Sequence, residues 1–353
     1  MVGPILTPGI LAILIGSAGM VVAFVPLVAL AYRRDGRLGA LRIVGWFAAA
    51  IYGVALLTYT LLPLPAHRQL AHCTGAQLHP LGSVLIIADY PHATLRELAV
   101  NPALLQVVLN VALFLPLGAL VRWFWGRGWP WALGIGFALS LFIETTQLTG
   151  VWGIYSCAYR VFDVDDLAAN TAGAVLGSLL SIPLTWRGCR HPDGTRVTLW
   201  RVGLAVGCDL LLMLLGGGLL VLGARLWIVA AGGTISAFPP EAETLVFFGV
   251  PFAGQAVSIL AGSRTLGEGI VLLRGRKGRW PAWAARPVKL LTGPGGFLVL
   301  LWAPRSGPFP ILFILFVLVS ATMLLFTRTH RGLPGWASDL DLVDVRTPDL
   351  TAA

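Results

Sequence analysis

Nine windows of roughly 20 apolar residues run along this chain, near residues 8–31, 43–63, 102–122, 129–149, 165–185, 200–222, 244–262, 287–303 and 309–327. A helix rising about 1.5 Å per residue needs that length to cross a hydrocarbon core ~30 Å thick. In lipid the backbone must satisfy its own hydrogen bonds, which leaves helices as the spanning element for windows of this kind. The expected fold is therefore an all-α, polytopic integral membrane helical bundle with about nine transmembrane helices. Composition agrees, since a mean hydropathy of +0.81 with 57% hydrophobic and only 12% charged residues leaves little polar surface for a water-soluble fold. The first run is too long for a signal h-region and reads as a first span. The eighth, "RPVKLLTGPGGFLVLLWAP", is short and broken by Gly and Pro, so it reads either as a span or as a re-entrant segment.

Orientation follows from the basic residues, because cytoplasmic loops keep Lys and Arg. With alternate loops assigned to opposite sides, twenty of the 25 fall on one side, and Arg68, Arg96, Arg160, Arg225 and Arg305 on the other. That places the N-terminus outside and the C-terminus in the cytosol of a bacterial plasma membrane. A basic inner face against anionic lipid accounts for the +9 net charge, and no nucleic acid is called for.

In that orientation several polar groups gather at the outer ends of the third, fourth and fifth spans. Glu144 and Gln147 share a helix face in "LSLFIETTQLTG", about two turns from the outer end. Asn110 lies ~13 Å into the third span. Asp163, Asp166 and Asn170 follow helical spacing, with Gly173 and Gly177 below them permitting close helix contact. Together with Arg160 and Asp165 these residues are candidates for one outward-facing polar pocket. Four carboxylates against one guanidinium favour a cation, an amine-bearing ligand or a divalent metal over a bare phosphate.

Three of these segments, "NVALFLPLGALVR", "SLFIETTQLTG" and "YRVFDVDDLAANTAGAVLG", resemble the signature segments of the VanZ-like family, and "YGVALLTYTLLPLP" is similar to that family's first span. The resemblance covers about residues 43–185 and keeps motif order and spacing. It implicates Asn110, Glu144, Gln147, Arg160, Asp163, Asp166 and Asn170. It also implies a cell-envelope role, lowering sensitivity to glycopeptide antibiotics such as teicoplanin in a Gram-positive bacterium. The second half resembles the RDD family of membrane modules: "WRVGLAVGCDLLLML" sets Arg201 at a span's start and Asp209 inside it, and "GSRTLGEGIVLLRGRKGRW" and "THRGLPGWASDLDLVDVR" follow. Glu268 stands where a basic residue is common in that family. The expected organisation is a VanZ-like domain over 1–186 with an extra N-terminal helix over 1–42, a basic cytoplasmic linker over 187–196, an RDD-like domain over 197–346 and a mobile tail over 347–353.

Each feature also has a plainer reading. Asp163 with Asp165 and Asp166 reads as a helix cap satisfying the N–H groups and dipole of the fifth span. A carboxylate in a membrane helix costs about 2.5–3.5 kcal/mol on insertion scales, so Glu144 needs a partner or a function, and Arg160 is the expected partner. Arg201 and Asp209 form a candidate intramembrane pair, either structural, with the arginine reaching the inner headgroups, or part of an ion path. His67, His72, His79 and His92 share the first outer loop with Cys73 but match no zinc spacing, and no metal or other cofactor is expected. Cys73 and Cys157 both fall in outer loops, where oxidation is possible, and are the candidate disulfide; Cys189 and Cys208 are not. The basic strip 264–286 with Trp280 and Trp283 reads as lying on the inner leaflet or as an ordinary solvated loop.

No Walker loop, Rossmann glycine pattern, HExxH or GxSxG is present. Three mechanisms stay open: binding of an envelope lipid precursor or the lipoglycopeptide at the outer pocket, enzymatic modification of a lipid-linked envelope component, and cation-coupled transport using Glu144 and Asp209. Membrane lipids are the expected partners in all three.

Overall fold

A computed structural model gives the fold; it describes residues 3–65, 72–91, 93–185, 195–234, 236, 238–276, 278–303 and 307–347. Chain contacts divide into two compact units, Met1–Ala18 with Gly45–Arg190, and Gly19–Val44 with His191–Ala353. The second unit thus takes residues 19–44, which the sequence assigns to the first domain.

In the first unit the helices are the N-terminal part of α1 (Gly3–Asp35), α2 (Ala40–Leu61), α3 (Gly82–Asp89), α4 (Leu95–Ala99), α5 (Pro102–Trp125), α6 (Trp129–Leu148), α7 (Gly150–Gly153), α8 (Val164–Leu180) and α9 (Ile182–Thr185). Local chemistry sets their ends. Asn101 starts α5 by accepting from the N–H groups of Ala103 and Leu104 at 3.1 and 3.2 Å, Pro102 follows at a position that needs no donor, and Gly126 ends the helix in the left-handed region at φ 61°. The core where α2, α5, α6 and α8 meet is Leu56, Phe114, Ile143 and Ala174. Contact is closest between α5 and α8, where glycine is required: a Cβ on Gly177 would sit 1.8 Å from the Leu115 carbonyl, and one on Gly118 would sit 1.7 Å from that of Ala174.

The segment between α2 and α3 is stitched to the segment before α8. Strands β1 (Ala76–Gln77) and β2 (Phe162–Asp163) pair in parallel, and Cys73 and Cys157 are joined by a disulfide with Cα atoms 5.6 Å apart.

The second unit holds the rest of α1, then α10 (Leu199–Ala230), α11 (Pro240–Thr244), α12 (Val250–Gly262), α13 (Leu266–Ile270), β3 (Leu273–Arg276), α14 (Ala282–Leu290), α15 (Gly296–Trp302), α16 (Phe309–Phe326), α17 (Gly332–Ala337) and β4 (Asp341–Asp344). A π-helical turn, Leu245–Gly249, makes α11 and α12 one rod. Strands β3 and β4 pair antiparallel, with Leu273 opposite Asp344 and Arg276 opposite Asp341.

The chain is thus a helical membrane bundle. By length and composition, seven of the described helices are able to cross a membrane, against the nine windows of the sequence. The window 165–185 is α8, at 17 residues a short rod that ends at Ser181. The window 287–303 is broken where Gly293 leaves helical geometry (φ −111°, ψ −115°) beside Pro294, leaving α14 and α15 with 9 and 7 residues. Residues 186–194, most of the expected basic linker, and 348–353 of the expected mobile tail lie outside the described residues.

Candidate functional site

Four backbone carbonyls at a helix end explain much of the charge that the sequence places around residue 160. The last carbonyls of α2 have no partner within the helix. Arg160 donates Nη1 to the Thr60 carbonyl at 2.8 Å and Nη2 to that of Leu62 at 2.9 Å. Gln147 donates to Thr60 at 2.8 Å, Tyr159 to Leu61 at 3.2 Å and Tyr155 to Pro65 at 3.1 Å. A guanidinium here also meets the negative end of the helix dipole. The turn through Gly150 makes this arrangement possible: Gly150 has φ 59°, and a Cβ there would sit 2.5 Å from the Cys157 carbonyl.

Arg160 is therefore not paired with Glu144 as expected. The guanidinium is taken by carbonyls that no residue pattern announces. Glu144, 4% exposed, accepts instead from the backbone N–H of Asp163 at 3.1 Å. The aspartates divide by task. Asp163 caps α8 by accepting from the Asp165 N–H at 2.9 Å. Asp165 turns away to the start of α3, taking the N–H groups of Leu81 and Ser83 at 2.8 and 2.7 Å. Asp166 accepts from Gln106 Nε2, 3.1 Å from each carboxylate oxygen. Asn110 lies alongside Asp166, yet its buried Nδ2 closes no hydrogen bond among the described residues. Deeper down, Asn170 donates to Ser140 at 2.9 Å while its own Oδ1 is buried without a donor.

Once the caps are subtracted, Glu144 and Asp166 remain, close enough for their charges to repel. No ion pair engages either of them among the described residues. Among the described residues, no three His, Cys, Asp or Glu side chains converge on a metal position. His67 and His92 lie outside the described residues.

Residues 47–186 match the family model described as VanZ/LLP1. The matched segment contains every residue of the polar cluster around Glu144 and Asp166. Comparison with curated proteins and with solved structures finds no match. Gln106 and Ser140 join the candidate cluster by contact, as hydrogen-bond partners of Asp166 and Asn170, though the sequence does not single them out. Both are polar residues inside an apolar window, which was the signal available.

Beyond the VanZ-like segment, Arg201 and Asp209 do not form the expected pair. Buried Arg201 donates to the Val271 carbonyl through Nε and Nη2, at 2.9 and 2.7 Å, and to Asp344 Oδ2 at 2.6 Å. The pairing failed because the two residues are eight apart on α10, while β4 brings Asp344 to the helix start. Asp344 also accepts from Arg346 Nε and Nη2, at 2.9 and 2.7 Å. Burial pushes its carboxyl up, but hydrogen bonds from Arg346 and Arg201 outweigh that and hold it below the ordinary value. Asp209 accepts from Gln255 Nε2 and the Gly267 N–H, both at 2.6 Å. Buried Lys289, missed in the sequence, pairs with Glu268 at 2.7 Å and donates to the Ser263 carbonyl at 3.1 Å. These groups satisfy one another as structural ties.

Proposed function

We propose that this is a cell-envelope protein that lowers sensitivity to glycopeptide antibiotics such as teicoplanin, in a Gram-positive bacterium, without catalysis. Its site is the acidic polar pocket formed by Glu144, Asp166, Gln106 and Asn110, facing outward in the orientation set by the basic residues. The ligand is a cationic or amine-bearing group on a lipid-linked envelope precursor or on the lipoglycopeptide. The observation that supports this reading is the pair Glu144 and Asp166, which take part in no ion pair and no helix cap among the described residues. A buried carboxylate that is neither paired nor a cap is costly in a membrane protein and calls for a ligand. The VanZ-like match over 47–186 supplies the envelope context. On this reading the second unit is an RDD-like module, and nine spans carry the chain across the membrane.

The test is teicoplanin susceptibility in a sensitive Gram-positive host expressing wild type, Glu144→Gln, Asp166→Asn, Arg160→Gln or an empty vector at matched membrane levels. Wild type should protect, and folded Glu144→Gln and Asp166→Asn should not. Equal protection by all folded variants would reduce the cluster to architecture.

A further inference from the structure

The second unit carries a different kind of site, opposite in sign to the outer pocket. Where α12 ends, the Gly262–Ser263 turn, strand β3 and the start of α14 enclose an open cavity of about 460 Å³. Arg274, Arg276, Arg286 and Trp280 line it, together with glycines and Leu340, and no carboxylate is among the described lining residues.

Its frame is rigid. The Gly275 N–H donates to the Ser263 carbonyl at 3.1 Å, and a Cβ on Gly278 would sit 1.9 Å from the Asp339 carbonyl. Arg286 is held in place, with Nε on Ser263 Oγ at 2.9 Å and Nη1 on the Leu260 carbonyl at 2.7 Å. The neighbouring carboxylates are engaged elsewhere: Asp339 accepts from the Arg279 N–H at 2.8 Å, and Asp341 pairs with Arg331 at 3.0 Å. Arg276 and Arg286 therefore bring their guanidiniums to a cavity whose described lining residues include no carboxylate.

Planar guanidinium forks match phosphate oxygens, and basic pockets on the inner face of membrane proteins take lipid headgroups. The position fits that chemistry. Trp280 is 44% exposed and Trp283 80%, while Ala285 and Lys289 bury the opposite face of α14, which is the pattern of a helix lying at the headgroup level.

We propose that this cavity binds a phosphate-bearing anion, with Arg276 and Arg286 gripping the phosphate and Trp280 covering it. The source is either an anionic phospholipid of the inner leaflet or a soluble phosphate. The site is independent of the outer pocket and of the antibiotic reading.

The test uses the purified full chain in nanodiscs, read by thermal unfolding and by native mass spectrometry of retained lipid. The compared probes are phosphatidylglycerol discs, phosphatidylcholine discs, and phosphatidylcholine discs with millimolar inorganic phosphate. Phosphatidylglycerol should raise the melting temperature relative to phosphatidylcholine. Arg276→Gln should weaken that lipid's retention at least fivefold, while Arg127→Gln, a basic change outside this unit, should leave it intact. If inorganic phosphate alone reproduces the stabilisation and Arg276→Gln removes it, the site stands with a soluble ligand. A second readout needs no charge change: brominated phosphatidylglycerol should quench emission more than brominated phosphatidylcholine, and Trp280→Phe should remove the difference. Equal retention of both lipids with no phosphate response, or an Arg276→Gln variant that binds as wild type does, overturns the proposal.

Discussion

Arg160 and Glu144 show how far charge alone carries an argument. Both residues are conspicuous in the sequence, and pairing them is the economical reading of two opposite charges near one helix end. The structure separates them because the α2 carbonyls compete for the guanidinium, and a carbonyl has no letter in a sequence. Hydrogen bonds to a charged donor contribute about 1.5–3 kcal/mol each. Arg160→Met should therefore destabilise the first unit by ~2 kcal/mol or more, seen as a lower melting temperature in detergent. Glu144→Gln keeps an oxygen for the Asp163 N–H and should melt close to wild type. A Glu144→Gln variant as unstable as Arg160→Met would mean that the carboxylate charge serves the fold. The candidate residues themselves were legible, since a polar side chain in an apolar window stands out; which of them cap, clamp or stay uncommitted was not.

Among the elements, the small-residue face of α8 was readable in full. Gly173 and Gly177 are four apart, so they share a face, and that face meets α5 backbone to backbone. Gly177→Leu should abolish monodisperse protein on size exclusion, because its Cβ would collide with the Leu115 carbonyl. Gly134→Ala in α6, where nothing lies within 4 Å of the new methyl, should be neutral or stabilise by up to about 1 kcal/mol. Strand β4 was legible only in outline: "DLVD" alternates, but nothing in it says that the buried positions are Leu342 and Asp344, or that the latter meets Arg201. The Asp344 carboxyl titrates below its ordinary value of 3.8. Its contribution is therefore complete above about pH 4 and is lost as pH falls through the lowered native value. Unfolding followed from pH 7 down to pH 3 should show that loss in wild type. Asp344→Asn should be less stable at pH 7, by about 3–5 kcal/mol for a buried pair broken on one side, and should lack this component of the acid response.

For the whole molecule, hydropathy was the dependable guide because bilayer thickness imposes a length that composition reports directly. The nine windows and the seven long helices part at two places, the 17 residues of α8 and the Gly293 break. The distribution of basic residues adds a direction. In a Cys189→Ser, Cys208→Ala background, a membrane-impermeant maleimide applied to intact cells should label Ser83→Cys but not Thr347→Cys, and the reverse labelling would invert the assignment of the acidic pocket to the outside. The clamp on α2 carries a consequence for variation among related chains. Arg160, Gln147, Tyr155 and Tyr159 all grip peptide oxygens, so they are indifferent to which side chains residues 60, 61, 62 and 65 carry. A deep mutational scan should accordingly find one partner of this contact free to drift while the other tolerates almost nothing, so that two surfaces in intimate touch would show no covariation at all.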